Sequence, residues 1–453
     1  MTSTPTFSSA KESRNQKWVW LTIVVLHLAG FLWQLNHQAY LLTDSQQYLN
    51  VAQNLREHGE IYSAVWQAPF ILEGFTLRPP VYPLFILLWQ LVTTSVWGVL
   101  LAQAFLSLFT LYTVQKLWQA SYLQCRYPIV LLLALVLYPA QIIYANMVMS
   151  EILVQALVLG CFVCLLHFRR RGNLYYFLMA SLFLTAAMLT KPLFYPFTFL
   201  FLAWGIFEGI RRKKALLYLY AVLPLALAFA YQNYNEHRTG YFHFSSIQEI
   251  NLRQFNAFGV WEKEHGYGYA DSALTALETN ADQQPSFAER QKFIRKASVN
   301  VLLESPVTYA QNHLMGMVHF FLDPGRYDLV HYFGVDIKKG PGLSNYLQAE
   351  GYSGLFTYFK GYNFFFLLAL VLLVLANLLK VLTLVLFAMN KQVPVFEKML
   401  LLGVILLVAG LTGPVGASRY TVPVFPLMLY TLPFALQASR LFIQKRLFFV
   451  EEK

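Results

Sequence analysis

EILVQALVLGCFVCLLHFRRRGNLYYFLMASLFLTAAMLTK, residues 151–191, holds two apolar runs, 150–168 and 173–190, joined at Arg169, Arg170 and Arg171. Each run is close to the ~20 residues a helix needs to cross hydrocarbon, and no charge interrupts either one. Three arginines in a tight loop between two such runs mark the cytosolic side of a membrane. The stretch therefore reads as a helical hairpin through a bilayer. Its two remaining charges, Glu151 and Lys191, fall together at the far, extracytosolic end.

The rest of the chain extends that pattern. Of 453 residues, 57% are hydrophobic and 13% charged, whereas a soluble domain carries about 25% charged residues. Aromatics make up 17%, as interfacial belts of Trp and Tyr require. A formal net charge of +11 does not point to nucleic acid, because the basic residues sit in short clusters between apolar runs. Further spans are expected over 18–40, 96–118, 127–147, 192–210, 214–232, 361–389, 394–412 and 421–441. The run from Trp18 to Tyr40 reads as a retained span, since it is long enough to cross and lacks a small-residue cleavage site. The fold class is an all-α polytopic membrane protein with about ten spans.

Arg211 to Lys214 form a second cytosolic loop. Lys11, Arg14 and Lys17, the pairs Lys116 with Arg126 and Lys391 with Lys398, and the tail bearing Arg440, Lys445, Arg446 and Lys453 share that side. The alternation closes only if 80–93 lies in the outer interface without crossing, and 306–322 reads in the same way. Three stretches are left outside: 41–95, 233–360 and 413–420. The organisation is one integrated domain, with a membrane module over 1–232, an extracytosolic region over 233–360 and further spans over 361–453. Cys125, Cys161 and Cys164 suggest no disulfide framework. The last two form a C-x-x-C inside an apolar helix, without a second pair, and read as packing residues.

After the first span comes Thr43-Asp44-Ser45-Gln46-Gln47-Tyr48, opening an amphipathic helix with Tyr48, Val51, Ala52 and Leu55 on one face and Gly59 at its end. It is expected to lie on the membrane surface. Asp44 has two compatible readings. Asp44-x-x-Gln47 is a capping box, and a carboxylate at this boundary also suits binding or catalysis on a lipid-borne head group. In Arg78-Pro79-Pro80-Val81-Tyr82-Pro83 the paired prolines stiffen the start of the next helix and hold Arg78 at the surface.

Lys191 is the only basic residue between Arg171 and Arg211, and Arg419 the only one between Lys398 and Arg440. With Arg78 they make three isolated cations on the outer rim, against the positive-inside bias. Each has an ordinary reading as a snorkelling anchor. Together, each beside proline or tyrosine, they suggest a phosphate site. Glu151 is the sole acid between Glu73 and Glu208. It reads either as a charge favoured by a helix N-terminus or as a carboxylate facing the site, paired with Lys191 or Arg78. His243, Glu262, Glu264 and His265 share no ligand spacing and read as loop residues.

Asp44 to Tyr48, Arg78 to Pro83, Met149 to Glu151, Leu189 to Pro192 and Ser418 to Pro423 together resemble the GT-C superfamily of membrane glycosyltransferases. The likeness is to bacterial relatives of protein O-mannosyltransferases and of the lipid A aminoarabinose transferase (glycosyltransferase family 39-like). The resemblance implies a GT-C-like bundle of about 10–12 spans with interfacial helices outside. It implies a polyprenyl-phosphate-linked sugar as donor and a lipid, glycan or protein acceptor arriving from the extracytosolic side. It carries the family's first-loop acid to Asp44 and its phosphate-contacting cation to Arg78. Many members have two acids in tandem, and here the second is Ser45. Acceptor class and a divalent metal ion as cofactor therefore stay open. The expected chemistry is inverting sugar transfer. Asp44 would act on the nucleophile, Arg78, Lys191 and Arg419 would hold the donor phosphate, and Tyr48, Tyr82, Glu151 and Tyr420 would line the pocket. Two rivals are a lipid flippase, which lacks the expected pair of broken helices in matching halves, and a lipid-linked polysaccharide ligase, which leaves the first-loop Asp44 motif unexplained.

Overall fold

The computed structural model describes residues 7–93, 95–121, 128–335, 351–360 and 362–437. Among them the chain is all-α, with no strand. Cys125, Arg126 and the tail from 438 onward, including Arg440, lie outside the described residues.

Among the described residues, seven helices are long and apolar enough to cross a membrane: Gln16–His37, Val96–Ala120, Glu151–Arg171, Pro192–Arg212, Leu216–Thr239, Phe364–Met389 and Val395–Val415. Their outward faces carry rows of exposed apolar side chains. On Phe364–Met389 these include Phe364, Leu368, Val371, Leu375 and Leu379. Water does not tolerate apolar surface on that scale, and lipid does. The protein is a multi-pass membrane protein.

The helices are α1 (Phe7–His37), α2 (Ser45–His58), α3 (Val81–Gln90), α4 (Val96–Ala120), α5 (Pro128–Val136), α6 (Ala140–Ala145), α7 (Glu151–Arg171), α8 (Leu174–Met188), α9 (Phe197–Arg212) and α10 (Leu216–Thr239). A helical group outside the membrane spans follows: α11 (Ile247–Asn251), α12 (Phe258–His265), α13 (Tyr267–Asp282), α14 (Phe287–Glu304), α15 (Pro306–Leu322) and α16 (Arg326–Phe333). The hairpin read from residues 151–191 is present as two packed helices, but only α7 is among the seven long enough to cross; α8 has 15 residues, because its regular helix stops at Met188 before Lys191 and Pro192. α7 and α8 pack along their length, and Gly172 makes the turn at φ +68°, a conformation that costs glycine nothing. Cys161 and Cys164 are free thiols packed into the α7–α8–α9 cluster.

Two expectations need correcting. The 127–147 segment is not one span: α5 ends at Val136, and α6 begins at Ala140 as a separate short helix. Pro139 is the cause, since it lacks a donor and disfavours helix in the residue before it. The α2 helix also does not spend its apolar face on lipid. Tyr48, Val51 and Ala52 are buried, and α2 packs on α3. An amphipathic pattern reports that one face is covered, not by what. The segment 80–93 forms the ten-residue α3, too short to cross, as read.

Inside the bundle, glutamines set the register between elements. Gln103 on α4 accepts from Tyr82 Oη at 2.6 Å and donates to the carbonyl of Met147 at 2.7 Å. Gln155 on α7 donates to Gln141 at 2.8 Å and to the carbonyl of Val422 at 2.6 Å. Hydrogen bonds buried away from water hold geometry tightly, because the unpaired alternative is costly.

Candidate active site

Four chain segments end at one pole of the bundle, opposite the arginine loops. The turn after α1 brings Asp44, and the start of α7 brings Glu151. Lys191 follows α8, and Arg419 sits on the 3-10 segment Ser418–Val424. Arg78 joins them from the first outer loop, where Pro79 and Pro80 lead directly into α3.

The charged groups interlock. Asp44 Oδ1 accepts from Arg78 Nη2 at 2.7 Å, and its Oδ2 accepts from Arg419 Nη2 at 2.8 Å. Glu151 Oε1 accepts from Lys191 Nζ at 2.8 Å, and Arg419 Nε lies 3.4 Å from the same oxygen. Arg419 therefore bridges the two carboxylates. Glu151 is fully buried, and the Lys191 side chain is only 11% exposed. Three cations and two carboxylates thus make direct contact in one cluster. Glu151 Oε2 is buried, and no donor reaches it among the described residues.

The tyrosines line this cluster. Arg78 lies over the ring of Tyr48 at 5.1 Å, and Lys191 lies over Tyr420 at 5.1 Å. Tyr48 meets Tyr82 edge-on at 4.8 Å, and its hydroxyl is 3.2 Å from Ser150 Oγ. Tyr82 faces inward to Gln103 and supports Tyr48 from behind. Seven of the eight residues singled out in the sequence thus gather at one place; Tyr82, fully buried with its hydroxyl on Gln103, stands behind Tyr48 and does not line a pocket. Glu151 pairs with Lys191 and Arg419, and not with Arg78.

The capping-box reading of Asp44 fails. Asp44 is the N-cap of α2, but its side chain makes no cap hydrogen bond. Both carboxylate oxygens go to arginines instead, and Gln47 Oε1 accepts from Arg78 Nε at 2.7 Å rather than reaching back. Charge-assisted bonds to guanidinium are stronger than a bond to a backbone amide.

Burial pushes the Asp44 carboxyl up, but Arg78, Arg419 and Lys191 outweigh it and hold the group at about 2. It is a firm carboxylate at neutral pH and, in this arrangement, a weak proton acceptor. A divalent cation does not fit these residues. Asp44 and Glu151 both carry cationic partners, and among the described residues no three His, Cys, Asp or Glu side chains gather as donors for a metal.

Residues absent from the sequence reading complete the site. Asp323 Oδ2 accepts from the backbone amide of Ser418 at 2.8 Å, and Asp328 Oδ2 accepts from Ser418 Oγ at 3.2 Å. These bonds fix the backbone one residue before Arg419. On the other side of the same turn, α15 touches the Gly413–Val415 segment so closely that a Cβ on Gly316 would collide with the carbonyl of Gly413. Lone polar residues inside apolar runs, such as Gln103, Gln141 and Gln155, were the available signal for the supporting network.

No protein-family model matches the chain, and no curated protein does. Two solved structures are similar. One is ArnT from Cupriavidus metallidurans bound to undecaprenyl phosphate, at 14% identity and a TM-score of 0.38, covering 84% of this chain and 81% of that one. The other is the same protein in the apo state, at 13% identity and a TM-score of 0.37, covering 93% of this chain and 78% of that one.

Proposed function

We propose that the chain is an integral membrane glycosyltransferase that moves a monosaccharide from a polyprenyl-phosphate donor to an acceptor on the extracytosolic side, with inversion. The convergence of Arg78, Lys191 and Arg419 at one pole carries this reading, because three cations held within reach of one another suit one phosphate. The ordered set of motifs resembling the GT-C superfamily supports it. The arginine loops at the opposite pole support the assignment of sides.

In the proposed reaction an acceptor hydroxyl or amine attacks the anomeric carbon. The bond from that carbon to the phosphate oxygen breaks, and the phosphate leaves with the electron pair. Arg78, Arg419 and Lys191 stabilise the charge growing on it. Donor binding also changes Asp44. A phosphate that draws Arg78 and Arg419 toward itself removes the groups that hold Asp44 near 2. The carboxyl then rises toward its ordinary value and becomes a better acceptor for the proton of the nucleophile.

The test is transfer of radiolabelled monosaccharide from its polyprenyl phosphate by the purified protein in detergent. Labelled acceptor product, lost in Arg78→Ala and Arg419→Ala, is the expected result. Movement of intact donor lipid across a bilayer without glycosyl transfer would overturn the reading in favour of a flippase.

A further inference from the structure

A second cationic feature lies outside this site. Tyr241, Phe242, Lys292, Arg295, Lys296 and Val299 line a depression of about 450 Å³. Lys292 and Lys296 are one helical turn apart on the exposed face of α14. Neither has an acidic partner among the described residues, whereas Arg295 is committed to the buried Glu249 and lies over Tyr241 at 5.9 Å.

The depression sits at the level of the membrane surface. α10 is apolar up to Tyr231 and turns polar from Gln232 onward, so its apolar end marks where hydrocarbon stops. After α10 the chain doubles back. The Phe242 ring lies 6.0 Å from Phe229, the last phenylalanine before that boundary, and both rings are exposed. Further along α14 the exposed face changes from Lys292 and Lys296 to Val299 and Leu303. A basic turn followed by an apolar one matches a phosphate headgroup above its acyl chain. A soluble phosphate compound would leave the apolar wall uncovered.

This patch also touches the segment that carries Arg78. The carbonyl of Tyr241 accepts from His243 Nδ1 at 2.7 Å, which leaves His243 Nε2 to accept from Thr76 Oγ1 at 2.8 Å. Ser245 Oγ donates to the carbonyl of Leu77 at 3.1 Å. The patch therefore opens on the same side of the membrane as the candidate active site.

We propose that this depression binds the phosphate headgroup of an anionic phospholipid from the leaflet on that side. Lys292 and Lys296 hold the phosphate, and Phe242 and Val299 lie along the acyl chain. The proposal rests on the membrane placement of α10 and not on sugar transfer, so the two succeed or fail separately.

The experiment measures thermal unfolding of the full-length protein in detergent, titrated with dioleoyl phosphatidylglycerol, dioleoyl phosphatidylcholine or sn-glycerol 3-phosphate. Lys292→Gln/Lys296→Gln is compared with wild type and with Lys214→Gln, a lysine at the opposite pole. Phosphatidylglycerol alone should raise the melting temperature of wild type and of Lys214→Gln. The double variant should melt like wild type without lipid and need about tenfold more phosphatidylglycerol, or greater, for the same shift. An unchanged phosphatidylglycerol response in the double variant would overturn the proposal. So would equal stabilisation by phosphatidylcholine, and so would stabilisation by glycerol phosphate at matching concentration, which would mark a site for soluble anions. A double variant that already melts lower than wild type without lipid would show Lys292 and Lys296 to be structural and would equally count against the proposal.

Discussion

Asp44 and Arg419, 375 residues apart in the chain, meet at 2.8 Å. That contact joins the first outer loop to the last described helical region. Because Arg78 takes the other oxygen of the same carboxylate, one acid organises two of the three cations assigned to the phosphate.

Asp44→Asn should therefore separate chemistry from folding. Asn keeps one acceptor oxygen for the guanidinium groups but cannot take a proton. Transfer should fall by about 10²–10⁴-fold, with little change in elution volume or donor binding. An Asp44→Asn protein that turns over at the wild-type rate removes Asp44 from the reaction.

The pH dependence has a sign of its own. The Asp44 carboxyl is held at about 2 in the folded protein, below the unfolded value near 4. Its contribution to stability is thus complete above pH ~4 and fades as pH falls toward 2. For activity, kcat/KM for the donor should show no acid limb from Asp44 between pH 5 and 8. Under saturating donor, kcat should begin to fall at a higher pH than kcat/KM does, since the phosphate has drawn the arginines away. Coincident acid limbs in the two profiles would contradict the exchange of partners.

Glu151 and Lys191 form a buried pair. Glu151→Gln or Lys191→Met alone leaves an uncompensated charge out of water, at a cost of about 3–5 kcal/mol. The double variant should recover much of that loss, because neither charge then needs solvation. Thermal unfolding of the two single variants and the double one gives the coupling. Simple additivity would mean that the pair is not formed in the membrane.

Gly316 tests the turn beneath Arg419. Gly316→Val forces α15 away from the carbonyl of Gly413 and should abolish transfer or lower yield. Gly403, on the helix Val395–Thr412, has open space around its Cβ position, so Gly403→Ala should leave both unchanged. Equal behaviour of the two variants would rule out the close approach.

Asp328 behaves oppositely to Asp44. Burial pushes its carboxyl up to about 6, the bond from Ser418 and the charge of Arg419 opposing that only in part. The folded state then binds a proton more tightly than the unfolded one, so this group costs stability as pH rises from 4 through 6. Asp328→Asn retains an acceptor for Ser418 and should raise the melting temperature at pH 8. The gain should vanish below about pH 4. A constant difference at all pH values would mean that Asp328 does not titrate in this way.

The chain alone determined the class of solvent and separated the basic ends of the helices from the others. Long apolar runs such as Ile152–Leu166 carry no charge and have no stable place outside lipid, and arginine clusters mark one end of a helix apart from the other, so both follow from local composition. The isolation of Arg78, Lys191 and Arg419 from the arginine clusters was legible for the same reason. What local pattern could not supply was partnership. Asp44-x-x-Gln47 fits a capping box in sequence, yet both side chains turn to Arg78 because stronger charged donors arrive from elsewhere in the chain. The apolar face of α2 looked ready for lipid and was covered by α3. The clamp on Ser418 by Asp323 and Asp328 joins residues about ninety positions apart. Only the tertiary structure decides such contacts, because which buried charge meets which depends on where separate helices end, and no periodicity records that.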